Sequence, residues 1–216
     1  MIGRMPFLPV ERGGIFVCLG SRSQPDIGKE AYDMQKKSIY TLTTLAMMAA
    51  LSVILVFFIH FPIFPAVGFL EYDPADILVF ISAMLFGPWY GLLLTAVVCI
   101  IQGLTVSASS QLYGILMHLI ATGTHVLVCG LLYRHIEAKW GLPVSLLAGT
   151  AAWTLIMIPA NLIITPWFMG VPQSAVAALL PFILAFNLIK AGVNSILAGG
   201  LFFPVQRLYR NVAYRN

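Results

Sequence analysis

Long stretches of this chain carry no formal charge. Between Ser38 and Leu70, between Ile77 and Tyr133 and between Trp140 and Ile189 there is no Asp, Glu, Lys or Arg, and the last two gaps run to 57 and 50 residues. A helix needs about 20 apolar residues to cross the hydrocarbon of a bilayer and cannot leave its backbone groups unpaired in lipid. The gaps therefore exceed single crossings, and turn signals inside them separate the helices. Gly87-Pro88 and the polar run Thr105 to Gln111 divide the second gap, and Pro166 to Pro172 divides the third. The pattern predicts an all-α, polytopic membrane protein of six helices, at about 38–60, 74–87, 88–106, 111–134, 142–165 and 175–206.

The second segment is short. Fourteen residues from Pro74 to Gly87 reach about 21 Å at 1.5 Å per residue, against about 30 Å of hydrocarbon. Two readings follow. Short or interrupted segments of transport proteins line substrate sites, and a re-entrant hairpin is the competing structure.

Composition narrows the class. Of 216 residues, 60% are apolar and 9% charged, where a soluble domain carries about 25% charged residues, and this excludes a soluble enzyme. Six crossings place both termini and the loops after the second and fourth helices on one side. That side holds Lys36, Lys37, Arg134, Lys139, Arg207, Arg210 and Arg215, and the opposite loops hold no Lys or Arg. By the positive-inside rule both termini are cytoplasmic. The net charge of +4 then reports topology and not nucleic-acid binding, because the basic residues flank apolar helices and form no stripe. Cys18, Cys99 and Cys129 include no CxxC pair and read as small core residues, with neither a disulfide framework nor a zinc site. Residues 1–33 are more polar than the rest, and their apolar stretch Gly14 to Gly20 is too short to span. They are expected to be an N-terminal extension, disordered or following a mis-assigned start, with 34–216 as the membrane domain.

Candidate chemistry sits on few side chains. Lys190 lies inside an apolar helix with Asn187 three residues before it and Asn194 four after, so the three share a face. A charge there costs about 2.5–3.5 kcal/mol on insertion scales and faces a cavity or a partner; the alternatives are snorkelling to an interface or pairing with a single acid. Asn161 follows Pro159, whose ring removes one backbone bond, so its amide either meets a ligand or repairs the helix. The loop Gly68 to Asp76 holds Glu71, Tyr72, Asp73 and Asp76. Asp73 or Asp76 can cap the second helix, and the loop can also close over a ligand. His118 and His125 are seven residues apart with no acid on their helix. This spacing disfavours a metal site and makes His118 a polar wall residue. Ala46 and Ala50 form a small-xxx-small pair in the first helix, with Ala49 and Ser52 extending the smooth face.

Together Ala46-Met-Met-Ala-Ala50, Phe69-Leu-Glu-Tyr-Asp-Pro-Ala-Asp-Ile77, Phe86-Gly-Pro-Trp-Tyr-Gly91 and Phe186-Asn-Leu-Ile-Lys190 resemble the riboflavin-binding S component of energy-coupling factor (ECF) vitamin transporters. The resemblance runs from about Lys36 to Arg210. It implies a substrate-binding subunit of an ATP-driven importer in a prokaryotic cytoplasmic membrane. Such a subunit docks through its first helix, here at Ala46 and Ala50, onto a transmembrane coupling (T) subunit that carries two ATP-binding-cassette ATPases. Riboflavin is the transported ligand, and no cofactor or metal is expected. The chain has no GxxxxGK[ST] of its own. The resemblance assigns ligand contacts to Tyr72 and Asp73 in the loop, to Asn161, and to Asn187 and Lys190, beside His118. Amides can read the imide edge of the flavin, Lys190 can donate to its oxygens, and Phe64, Trp167 and Phe186 can wall the ring. Alternatives are an S component for another vitamin or flavin analogue, or an intramembrane hydrolase built on Ser107, Ser109 or Ser110 with His118 or His125. That last reading lacks a Gly-x-Ser-x-Gly turn.

Overall fold

The structure, a computed structural model, describes residues 27–106, 111–136 and 140–213. Six helices run in chain order: α1 (Ile27–Phe58), α2 (Asp76–Phe86), α3 (Pro88–Leu104), α4 (Gln111–His135), α5 (Gly141–Met169) and α6 (Gln173–Ala213). Four contain segments long and apolar enough to cross a membrane, namely Ser38–Phe58, Leu112–His135, Gly141–Met169 and Gln173–Ala213. Large apolar side chains such as Phe58, Leu112, Leu147 and Ile196 are exposed on the outside of the bundle, as lipid rather than water requires. Ser107, Ser109, Ser110, Lys139, Arg215 and residues 1–26 lie outside the described residues.

Gly87 and Pro88 make the tight α2–α3 turn. Gly87 has φ +109°, a conformation that side chains rarely adopt, and Pro88 opens α3, where its missing N–H costs nothing. Arg134 of α4 donates from Nη2 to Phe86 O at 2.8 Å and closes the end of α2, so a Cβ at position 87 would collide with the guanidinium. At the same end, Phe86 packs edge-on against Tyr209 of α6 (5.0 Å), whose hydroxyl bonds Thr41 of α1 (3.1 Å). Thr41 in the middle of α1, the α2–α3 turn and the distal ends of α4 and α6 thus meet at the basic end of the bundle.

Helix α5 continues past its expected end. Pro166 lies inside it, and α5 runs to Met169 before Gly170, left-handed at φ +66°, stops it with its N–H on Pro166 O. A proline in the last turn removes a single intrahelical bond, so it does not end the helix by itself.

The short α2 resolves in an unexpected way. Its 11 residues cover about 16 Å, and Ile77, Val79, Phe80, Ile81, Ala83 and Met84 are all buried in the main core. Protein surrounds it, so it need not satisfy the length rule for a lipid-facing span. The α1–α2 connection leads into it. There a two-residue strand β1 (Phe61–Pro62) pairs antiparallel with β2 (Glu71–Tyr72), Phe61 opposite Tyr72, around a 3-10 turn at Pro65–Val67. Val67 is buried with Val176 and Ile183 of α6 and anchors this connection to that helix.

Candidate functional site

Irregular backbone inside a membrane bundle must find partners for every polar group. Residues 71–75 find theirs on side chains. Lys190 Nζ donates to Glu71 O (3.4 Å), Asn194 Nδ2 to Asp73 O (3.0 Å), and Ser52 Oγ of α1 to Ala75 O (3.1 Å). Pro74 O accepts the N–H of Ile77 (3.3 Å), and Asp73 Oδ1 accepts that of Ala75 (3.1 Å). Of the two acids Asp73 serves the start of α2, its Oδ1 taking the Ala75 N–H, whereas Asp76 makes no cap bond and is spent on contacts between elements. The second Asp73 oxygen also reaches other helices, and Ser52 points into the bundle instead of extending the smooth face of α1.

Those contacts form one buried network. Asp73, 2% exposed, pairs through Oδ2 with Lys190 Nζ at 2.7 Å and accepts Gln102 Nε2 of α3 at 3.3 Å. Asp76 accepts His118 Nε2 (3.0 Å) and Thr122 Oγ1 (2.8 Å) of α4 on Oδ1, and Asn194 Nδ2 (3.4 Å) on Oδ2. Tyr72 donates its hydroxyl to Asn194 Oδ1 at 3.0 Å. Burial, and then the Asp73 charge, push that phenol above its usual range. Lys190 does not snorkel: it is 6% exposed and meets the acid that the loop carries.

Beside the network lies a cavity of about 240 Å³. Asp73, His118, Asn161, Asn187 and Lys190 all line it, so residues from the loop and from α4, α5 and α6 converge there. Tyr72 is absent from the lining and serves as a tether. The aromatic wall differs from expectation: Phe186 belongs to it, joined by Phe69, Tyr113, Trp153 and Phe168. Trp167 is 78% exposed on the outside of α5, and Phe64 packs with the loop cluster and against Phe182 at 6.1 Å.

The amides are already partly engaged. Asn187 Oδ1 accepts Trp153 Nε1 (2.8 Å), and its Nδ2 donates to Ile183 O (2.8 Å). Asn161 donates to Met157 O (2.8 Å) and accepts Thr165 Oγ1 (3.0 Å). Each NH₂ keeps one N–H and each carbonyl one lone pair. Both side chains are thereby held in fixed orientations at the wall. His125 takes no part in the lining. It stacks on Phe80 at 3.6 Å and meets Trp153 edge-on at 6.2 Å, behind the wall. Among the described residues, no three His, Cys, Asp or Glu side chains come together as metal ligands.

Sequence reading passed over Trp153 and Gln102. Trp153 repeats at four-residue steps with Met157 and Asn161, both at the cavity, and this phase could have marked it. Gln102 is the lone amide of α3. On α1, Ala46 and Ala50 are exposed while Leu45, Met48 and Ser52 face inward.

Comparison with known proteins gives concordant results. The model of the family "ECF transporter, substrate-specific component" matches residues 40–202. The riboflavin transporter FmnP of Bacillus subtilis (strain 168) is 28% identical over 155 residues, covering 68% of this chain and 82% of that protein. A solved S component of a bacterial ECF transporter shares the fold, with a TM-score of 0.67 at 23% identity over 78% of this chain and 96% of that one. The chain belongs to the substrate-specific components of ECF transporters, and is accordingly a multi-pass transport subunit of a prokaryotic cell membrane and not an enzyme.

Proposed function

We propose that this S component binds riboflavin in the cavity and delivers it into the cell as part of an ATP-driven importer. The observation that carries the reading is the lining itself: flat aromatic faces from Phe69, Trp153, Phe168 and Phe186 alternate with Lys190, Asn161 and Asn187. A flat heteroaromatic with a polar imide edge and a hydroxylated tail matches such a wall. Asn161, Asn187 and His118 meet the polar atoms of the ligand, Lys190 donates to an oxygen, and Asp73 fixes Lys190. Tyr72 acts at one remove, through Asn194. The similarity to a named riboflavin transporter supports the same ligand.

In this proposal residues 34–216 form the binding domain, all six helices lie in the membrane and both termini are cytoplasmic. The exposed alanines Ala46 and Ala50 dock α1 onto a T subunit that carries two ATPase subunits, whose ATP hydrolysis drives release inward. Side chains this small let a partner helix approach closely. The test is titration of purified protein with riboflavin, followed by quenching of flavin fluorescence. Saturation at one flavin per chain supports the reading. No saturable quenching, with tight binding of a different vitamin, replaces riboflavin by that vitamin.

A further inference from the structure

Among the described residues, one cavity-lining side chain carries a buried polar atom that has no hydrogen-bond partner. Gln102, 7% exposed, lines the cavity from α3, and its Nε2 is held by Asp73 Oδ2 at 3.3 Å. A carboxylate accepts and cannot donate to an amide oxygen, which fixes the amide with Nε2 toward Asp73. Its Oε1 is left buried without a hydrogen bond among the described residues. Buried acceptors in native proteins are paired, and an unpaired one at a binding cavity calls for a donor.

The same Asp73 oxygen also holds Lys190 Nζ, at 2.7 Å. Nζ has three N–H groups, of which Asp73 and Glu71 O take two. One carboxylate thus sets side by side a donor, the third N–H of Lys190, and an acceptor, Gln102 Oε1. The geometry points to Gln102 as a specificity-determining residue whose Oε1 accepts a hydrogen bond from a ring N–H of the ligand, next to a ligand carbonyl that accepts from Lys190. The ligand edge that fits is a C=O adjoining an N–H, as in a pyrimidinedione. This rests on the flavin reading above, in which that donor is the imide N–H of the isoalloxazine.

The experiment compares riboflavin with 3-methylriboflavin, which lacks the imide hydrogen, on wild type and Gln102→Met. Wild type should bind the methylated flavin at least tenfold more weakly. Loss of one neutral hydrogen bond should make Gln102→Met bind riboflavin roughly two- to tenfold more weakly, and the preference for riboflavin over its methyl derivative should shrink by a similar factor. Equal weakening toward both ligands would make Gln102 a purely structural support of Asp73 and overturn the inference. If the variant does not fold, wild type alone decides: 3-methylriboflavin bound as tightly as riboflavin overturns it. Wild type that binds no flavin rejects the ligand reading and this inference with it, whereas flavin binding with unchanged discrimination in the variant rejects only the role of Gln102.

Discussion

Lys190→Met tests how the cavity wall is held. The side chains of Lys190 and Asp73 are 8% and 3% exposed, and Nζ to Oδ2 is 2.7 Å, so solvent does little to screen the pair. Removing the lysine strands a buried carboxylate that retains, among the described residues, two neutral donors, Ala75 N–H and Gln102 Nε2. Breaking a buried pair from one side costs about 3–5 kcal/mol. Replacing both partners, as Asp73→Asn with Lys190→Met, leaves no unpaired charge: the new amide oxygen keeps the Ala75 N–H, and the new NH₂ can donate to Gln102 Oε1 once that side-chain amide turns over. The double variant should therefore recover at least about 2 kcal/mol relative to the single one. Unfolding of the four corners of this cycle in detergent measures the coupling. A Lys190→Met protein as stable as wild type, or no less stable than the double variant, would refute the pairing as a support of the loop. The same proteins titrated with flavin separate two roles. Loss of a direct charged contact of about 1.5–3 kcal/mol lowers affinity roughly ten- to hundredfold in both single and double variants. If the double variant regains affinity along with stability, Lys190 acts on the ligand only by holding the loop.

Ala46→Leu or Ala50→Leu should leave flavin affinity within twofold, because both side chains point away from the cavity, while co-purification with the T subunit falls; full assembly would remove this face as the docking site. A chain starting at Met34 should bind flavin as the full chain does, since among the described residues none of the network or cavity side chains precedes it; a marked loss in titration would give residues 1–33 a structural part. Tyr72 holds its proton more tightly in the fold than in the unfolded chain. Its contribution is therefore complete below about pH 10 and is lost as pH climbs through the raised value. Tyr72→Phe should flatten that alkaline fall in an unfolding series from about pH 9 to 11, and an identical fall in both proteins would show that the phenol is not its source.

The helices were legible because charge and proline mark where a chain leaves lipid: the Gly87-Pro88 turn and the ends of α3 and α4 lie within two residues of the expected positions. The Asn187, Lys190, Asn194 stripe was legible too, since helical phase alone puts the three on one face, and all three are buried. Their partners were not. The acid that meets Lys190 is 117 residues away, and no local periodicity encodes a pairing made by helix packing. Trp167 was misplaced for a related reason. With Pro166 read as the end of α5, residue 167 became a loop residue free to turn inward. Once the helix continues, Thr165 and Phe168 take the inward phase, and Trp167 faces lipid.

The way residues 71–75 find their partners sets an order on how the molecule is made. The connection leaves the ribosome directly after α1, yet the groups that allow its backbone and its carboxylate to leave water, Lys190 and Asn194, lie 117 and 121 residues further on. Until α6 arrives, Asp73 has no cation and its carbonyl no amide, so the segment must stay hydrated while four more helices are inserted around the place it will occupy. The cavity wall is thus among the last parts of the protein to set. Long-range closures of this kind are the slow steps of folding, and a chain cut short anywhere in α6 before Lys190 would hold most of its helices and no finished site.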